Sequence, residues 1–180
     1  MKIRIRHQVF IAFLLAYSTF STAFADDPWT SVGSAGVVDE SDSNEHMFLR
    51  GTANIKSTAP ASTTVVLRYN VVSTGDLNNG GIDKGMSVRF RDNGAFARVK
   101  LYLKSYNINS GVTRTLLSFD SNHVGSSGTY QKRFVNDGCS SNIRFDFRNH
   151  AYYVEAYLSR TNRQGKPSLG IIQIQDSDIC

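Results

Sequence analysis

The clearest pattern along the chain is an alternation of apolar and polar residues, and it is strongest in residues 95–120. The apolar positions of its first half are Ala97, Val99, Leu101 and Leu103. The residues between them are basic or aromatic, and a period of two places such sets on opposite faces of a β-strand. Residues 112–119 are rich in β-branched and bulky side chains, and the Gly-containing link at 108–111 suits a short turn. The segment is therefore predicted to be a two-stranded β-hairpin.

Shorter segments of the same kind recur along the chain, separated by clusters of Gly, Asn, Asp, Ser and Pro. The further predicted strands are residues 31–38, 47–56, 63–72, 85–91, 130–135, 143–147, 151–160 and 169–175. A tight turn at 92–94 predicts a three-stranded antiparallel meander over 86–119, and 143–147 is predicted to pair with 151–160 as a second hairpin. About ten short strands with no helical period predict an all-β protein, an antiparallel, jelly-roll-like β-sandwich.

A cleavable signal peptide is predicted for residues 1–25. Three basic residues precede an apolar run at 9–17, and the small–x–small pattern Ala-Phe-Ala follows at 23–25. The apolar run is shorter than the roughly 20 residues that a membrane-spanning helix requires, and no later segment is apolar enough to cross a bilayer. We therefore expect a single secreted domain over residues 26–180, located in a periplasm or outside the cell.

Removal of the signal peptide changes the charge of the protein. The whole chain carries +5, but three of its 20 basic residues lie in the signal, which leaves 17 against 15 acidic residues and a net charge of +2. Residues 26–45 hold six acids and no base, whereas residues 46–175 are strongly basic. A net charge this small gives weak long-range steering, and the acidic lead argues against nucleic acid as a partner.

Cys139 and Cys180 are the two cysteines, and both remain after signal removal. In an exported protein an isolated pair of cysteines favours one disulfide. Closing this loop would stabilise the fold by about 3–4 kcal/mol in the chain-entropy model. Two free thiols or intermolecular bridges are the alternatives.

A face that combines basic and aromatic side chains is the strongest candidate for binding. Its predicted members are Arg89, Arg91, Arg98, Lys100, Tyr102, Lys104 and Tyr106, which would share one side of the meander. Aromatic rings offer flat platforms for sugar rings, and Lys and Arg offer charge-assisted hydrogen bonds to carboxylate, sulfate or phosphate. Alternatively, the aliphatic parts of these side chains only cover an exposed sheet, and their charges discourage edge-to-edge aggregation.

An acidic loop is the candidate for a structural calcium ion, and no other cofactor is predicted. Its predicted ligands are Asp39, Glu40, Asp42 and Glu45. Calcium takes six to eight oxygen ligands, but the spacing of these residues is not that of an EF-hand. A solvated acidic loop without calcium is the alternative.

Candidates for catalysis are few. The sequence contains no G-x-S-x-G, no H-E-x-x-H and no Gly-rich phosphate loop. Asp146 and Glu155, on the two arms of the second predicted hairpin, could form the acid/base pair of a glycosidase. Arg144 and Arg148 flank Asp146 and instead favour a structural, salt-bridged carboxylate. We therefore expect the protein not to be an enzyme.

These patterns together predict a secreted, non-catalytic binding module for a carbohydrate or another, anionic, extracellular polymer. The first alternative is an extracellular structural or protein-interaction protein that uses the same face. The second is a glycan-acting hydrolase whose motif is not recognisable. The sequence does not indicate an oligomeric state.

Overall fold

The computed structural model describes residues 27–78, 84–136 and 143–176, and β-strands dominate them. The eleven strands are β1 Trp29–Val32, β2 Val37–Val38, β3 His46–Leu49, β4 Thr52–Ile55, β5 Thr63–Val71, β6 Lys84–Asp92, β7 Ala97–Asn107, β8 Thr113–Asp120, β9 Ser127–Val135, β10 His150–Arg160 and β11 Ser168–Asp176. One short helix, α1 (Gly75–Asn78), and three single-turn 3-10 helices lie between strands. Within the described ranges, no helix has the length and apolar character that a membrane span needs.

The strands form two antiparallel sheets that pack face to face. One sheet has the order β3-β4-β11-β6-β9, with β1 also paired to β11, and the other has the order β2-β5-β10-β7-β8. The chain crosses between the sheets at every step from β4 to β7 and again from β8 to β11. This topology confirms the predicted all-β, jelly-roll-like sandwich.

The period-two pattern of β7 places its apolar side chains in the core, as predicted. Val99, Leu101 and Leu103 are fully buried, and Leu103 pairs in register with Val154 of β10. The core cluster receives side chains from both sheets, including Phe90 of β6. Full burial of one such side chain stabilises the fold by about 1.5–3 kcal/mol, so this layer dominates the energetics of the sandwich.

The predicted three-stranded meander is wrong. β6 lies in the six-stranded sheet, whereas β7 and β8 lie in the five-stranded sheet. The turn between β6 and β7 carries the chain across the sandwich. Buried Asp92 holds this crossing, because its carboxylate accepts hydrogen bonds from the Gly94 amide and from the Ser121 hydroxyl. Strand alternation alone does not distinguish such a crossing from a hairpin within one sheet.

Three other predicted strands also differ from the structure. Residues 47–56 form the hairpin β3–β4, because Arg50 and Gly51 adopt positive φ angles of 50° and 82° and make a two-residue turn. A 3-10 turn, Gly33–Ala35, interrupts the first predicted strand. Residues 143–147 are not a strand, so the second predicted hairpin is wrong. The rings of Phe145 and Phe147 instead pack against Tyr152.

Some predictions fall outside the described residues. These are the signal peptide at 1–25 and both cysteines, Cys139 and Cys180. The export of the chain and the disulfide therefore stay predictions.

Candidate functional site

The predicted basic–aromatic face is divided between the two sheets. The members on β7 are Arg98, Lys100, Tyr102, Lys104 and Tyr106, and they alternate on the outer face of the five-stranded sheet. Arg89 and Arg91 belong to β6 and project from the outer face of the six-stranded sheet. The prediction of one shared face is wrong for these two arginines, because β6 and β7 lie in different sheets.

Tyr102 lies at the centre of the outer face of the five-stranded sheet. Glu155 of β10 lies opposite Tyr102, and Tyr157 lies opposite Lys100. The rings of Tyr102 and Tyr157 meet edge to face, with centroids 5.9 Å apart and planes at 85°. The ammonium nitrogens of Lys100 and Lys104 lie 5.5 and 5.7 Å from the centroid of the Tyr102 ring. These contacts fix the orientation of the Tyr102 ring on a rigid sheet.

A groove of about 490 Å³ opens beside Tyr102, and we call it the Tyr102 groove. Its lining residues are Thr64, Ala95, Phe96, Ala97, Arg98, Lys100, Tyr102, Asn122, Tyr157, Ser159 and Thr161. Three rings, from Tyr102, Tyr157 and the 43% exposed Phe96, share the groove with hydroxyl and amide groups. Apolar walls with a few polar groups, at this volume, are typical of pockets for small ligands.

The cations of this face are paired with carboxylates. Arg98 donates a hydrogen bond to Asp120, with its Nε 2.9 Å from Oδ1, and the Lys100 ammonium lies 3.8 Å from the same carboxylate. Lys104 forms an ion pair with Glu155. The hydrogen bond from Arg98 lowers the pKa of Asp120 despite the opposing effect of burial. Carboxylates therefore offset most, but not all, of the positive charge beside the Tyr102 groove, because Arg98 and Lys100 share one carboxylate, whereas the sequence predicted an uncompensated cationic surface.

Glu155 is the buried acid of this face, only 6% exposed. Burial alone would raise its pKa, but the hydrogen bonds from Lys104 and Tyr157 outweigh burial, so that its pKa lies below the ordinary value. Burial raises the pKa of Tyr157 to about 12, and its hydrogen bond to Glu155 adds to the shift. Tyr157 therefore stays protonated and donates to Glu155 Oε2 over 2.8 Å. Glu155 stabilises the outer face through these contacts.

Asp146 lies away from Glu155 and has a different role. Its Oδ1 accepts hydrogen bonds from the Arg148 and Asn149 amides, and its Oδ2 accepts one from the Asn149 side chain. In the described part of the chain neither Arg144 nor Arg148 forms the predicted ion pair with Asp146. Asp146 lies beside His150, whose amide donates to its carbonyl oxygen over 3.0 Å. The five residue steps from His150 to Glu155 then span about 17 Å of extended strand, more than the separation of a glycosidase carboxylate pair. The hydrolase alternative thus loses its candidate pair.

Two of the four carboxylates of the acidic loop accept hydrogen bonds that stabilise the loop and its contact with β5. Asp39 accepts hydrogen bonds from the Ser41 amide and hydroxyl, and Asp42 accepts one from the Val66 amide over 2.8 Å. Within residues 27–78, 84–136 and 143–176, no group of three or more His, Cys, Asp or Glu residues is arranged to hold a metal ion. Calcium binding by Asp39, Glu40, Asp42 and Glu45 stays a prediction.

Of the residues that line the Tyr102 groove, the sequence predicted Arg98, Lys100 and Tyr102 and missed the others, including those on β10. Tyr157 and Ser159 follow the same alternation on β10 that was recognised on β7, so their outward position was detectable. Their position beside Tyr102 was not, because it depends on the pairing of β10 with β7. Lys104 and Tyr106 share the predicted face but do not line the groove.

No protein-family model matches the sequence, and no curated protein matches it. Similar folds occur among solved structures. A family 35 carbohydrate binding module from Clostridium thermocellum has a TM-score of 0.44 and 10% identity over 84% of this chain and 99% of that chain. TmCBM61, solved with β-1,4-galactotriose, has a TM-score of 0.42 and 11% identity over 83% and 88% of the two chains.

An enzyme chain shows a similar degree of likeness. A family two carbohydrate esterase from Cellvibrio japonicus has a TM-score of 0.41 and 10% identity, over 84% of this chain and 34% of that chain.

Proposed function

We propose that the protein is a non-catalytic binding module whose ligand is a carbohydrate held in the Tyr102 groove. The observation that carries this proposal is the convergence of the Tyr102, Tyr157 and Phe96 rings around a cavity of about 490 Å³. Faces of aromatic rings pack well against the C–H faces of sugar rings. The hydroxyls of Thr64 and Ser159, which are hydrogen-bonded to each other at 3.0 Å, provide polar partners at the same wall.

The groove is organised before a ligand arrives. Tyr102 and Tyr157 lie on adjacent strands near the middle of a five-stranded sheet, and their rings already contact each other. Binding therefore requires little ordering of side chains or backbone, which lowers the entropic cost of association. This supports recognition by a fixed platform and not by a mobile loop.

The charge balance favours an uncharged glycan in this groove. Arg98 and Lys100 share Asp120, and Lys104 is paired with Glu155. An incoming anion would have to displace these carboxylates or approach them closely, and both are unfavourable. The anionic ligand predicted from the sequence therefore does not suit the Tyr102 groove. With the predicted export signal, we place the ligand among neutral polysaccharides in a periplasm or outside the cell.

Affinity electrophoresis through gels that contain neutral polysaccharides tests the proposal. The probes are xylan, galactan, mannan and mixed-linkage β-glucan, with the chain taken without its predicted signal. Tyr102→Ala is expected to raise the dissociation constant for the retarding polysaccharide by about tenfold or more, because removal of a central aromatic side chain usually costs that much affinity. Tyr106→Ala is the matched control, because Tyr106 lies on the same strand and face, is 42% exposed and does not line the groove. Equal affinities for the two variants, or no retardation of the wild type by any probe, would reject the proposal.

One observation favours the alternative of a protein-interaction module. The edge strand β3 exposes Phe48 and Leu49, at 39% and 53% of their surfaces, beside exposed Val32. Exposed apolar side chains on a free sheet edge are a template for pairing with another chain. A mass that rises with concentration in light scattering, together with no affinity for any glycan, is the result that this alternative predicts.

A further inference from the structure

The outer face of the six-stranded sheet carries a second concave surface of about 500 Å³, centred on Tyr130. Arg89 and Arg91 of β6 both contact the Tyr130 ring, with their Cζ atoms 5.3 and 5.7 Å from its centroid. Arg50, at the turn between β3 and β4, lines the same surface. Three guanidinium groups thus surround one concave surface, which we call the Tyr130 site.

The Tyr130 ring is held in place from beneath. Its hydroxyl lies 2.6 Å from the Ser168 hydroxyl of β11, within hydrogen-bond distance. Gly170, at the irregularity in the β6–β11 register, lies close to the β6 backbone, because a Cβ there would be 3.2 Å from the Arg89 carbonyl oxygen; the Tyr130 ring would lie in ordinary contact at 3.5 Å. The Arg91 Nε donates to the Lys166 carbonyl over 3.3 Å. The ring and two of the arginines therefore have defined positions.

The charge of this site differs from that of the Tyr102 groove. In residues 27–78, 84–136 and 143–176, no carboxylate forms an ion pair with Arg50, Arg89 or Arg91. Lys132 of β9 pairs in register with Arg89 and adds a fourth positive charge to the same stripe. The two-residue turn between β3 and β4, in which Arg50 has a φ of 50°, places Arg50 at the rim of this surface. Like charges gathered without a counter-charge favour the binding of an anion.

We propose that the Tyr130 site binds the sulfate or carboxylate groups of an acidic polysaccharide, separately from the Tyr102 groove. Guanidinium groups donate paired N–H bonds that match the oxygens of sulfate and carboxylate. The flanking Asn54 and Thr52, joined by a hydrogen bond of 2.8 Å, provide polar groups for a sugar hydroxyl. The Tyr130 ring is occupied by the arginines and so is not free to stack on a base, which favours a glycan over a nucleic acid.

Binding of dextran sulfate, with uncharged dextran of equal length as the control polymer, tests this proposal by isothermal titration. The titrations use the Tyr102→Ala protein, so that neutral glycan binding in the other groove does not contribute. We expect this protein to bind dextran sulfate and not dextran, with an affinity that falls as salt rises. Added substitutions R89Q and R91Q should weaken dextran sulfate binding at least about tenfold. Lysine at both positions should keep part of the affinity, because the positive charge remains. It should not keep all of it, because the paired N–H donors of the guanidinium group are lost.

The charge-matched control carries R114Q and R163Q, two exposed arginines outside the Tyr130 site. This control should change the affinity less than about twofold. Equal loss in the two double variants would overturn the proposal, because only overall charge would then matter. Equal binding of dextran and dextran sulfate would also overturn it. Tighter binding of a single-stranded DNA oligonucleotide, lost with R89Q and R91Q, would replace the glycan by nucleic acid. If the Tyr102 groove proved not to bind neutral glycans, the results expected for dextran sulfate would not change.

Discussion

The hydroxyl of Tyr69, on β5 of the five-stranded sheet, donates a hydrogen bond of 2.7 Å to the carbonyl oxygen of Gly33. Gly33 begins the 3-10 turn where the chain leaves β1 of one sheet and enters β2 of the other. Tyr69 is only 2% exposed, and burial raises the pKa of its hydroxyl well above the ordinary value. The protonated hydroxyl therefore fastens the crossing between the two sheets.

Tyr69→Phe should lower the free energy of unfolding by about 1–2 kcal/mol, because the Gly33 carbonyl loses its buried donor. Chemical denaturation monitored by circular dichroism measures the change. Tyr106→Phe is the control, because Tyr106 is 42% exposed, and it should change stability by less than about 0.5 kcal/mol. A Tyr69→Phe protein as stable as the wild type would show that the hydrogen bond does not hold the crossing.

Gly33→Ala should be far more destabilising than a second Gly→Ala change. A Cβ at Gly33 would lie 2.0 Å from the Leu169 carbonyl oxygen and 2.8 Å from the Ala53 amide nitrogen, both backbone atoms of the six-stranded sheet. Backbone moves less easily than a side chain, so we expect a loss of about 3 kcal/mol or more.

Gly128→Ala provides the matched control, because no atom lies within 4 Å of a Cβ built there. It should leave stability unchanged or raise it slightly, since alanine restricts the unfolded chain. The midpoints of urea denaturation for the two variants give the comparison. Similar midpoints would mean that the β1–β2 crossing is looser than the close contacts around Gly33 indicate.

The direction of side chains within a strand, and the hairpin of neighbouring strands, could be predicted from the sequence. The alternation in β7 sends Val99 and Leu101 into the core and Lys100 to the outer face, because the direction of each side chain depends only on its position along one strand. The hairpin β7–β8 followed from the same pattern and from a short turn. Local rules also explain why Tyr102 was recognised as an outward ring.

The assignment of strands to sheets could not be predicted in this way. Arg91 and Arg98 are seven positions apart but project from opposite sides of the sandwich, because the chain crosses between β6 and β7. The pairing of Lys104 with Glu155 joins residues 51 positions apart, and it offsets the positive charge of Lys104. Such contacts depend on which strands become neighbours, which the hydrophobic pattern of single strands does not specify.

Acid should weaken the outer face of the five-stranded sheet through Glu155. Its pKa in the folded protein is lowered, since the contacts with Lys104 and Tyr157 outweigh burial. A lowered pKa contributes stability that is complete above the unfolded value, about 4.3, and that is lost as the pH falls through the folded value. The free energy of unfolding should therefore decrease below about pH 4.

Glu155→Gln should make the free energy of unfolding depend less on pH in this acidic range. The variant should be less stable than the wild type at pH 7, by about 1–3 kcal/mol, because Lys104 and Arg68 lose Glu155 as a charged partner. The difference between the two proteins should shrink as the pH falls towards 2. Urea denaturation at pH 7, 4, 3 and 2 gives both profiles. A difference that stays constant over this range would show that ionised Glu155 is not the source of the acid sensitivity.

Tyr157 allows the role of its ring to be separated from the role of its hydroxyl. Tyr157→Phe keeps the ring beside Tyr102 but removes the hydrogen bond to Glu155. It should lower the free energy of unfolding by about 1 kcal/mol and leave affinity for a neutral glycan within about threefold. Tyr157→Ala should lower stability further and reduce affinity by about tenfold or more, because one wall of the groove is lost. Affinity electrophoresis and denaturation of both variants measure these effects. If Tyr157→Phe abolished glycan binding while Tyr102→Ala did not, the hydroxyl would be the recognition group and stacking on the rings would be rejected.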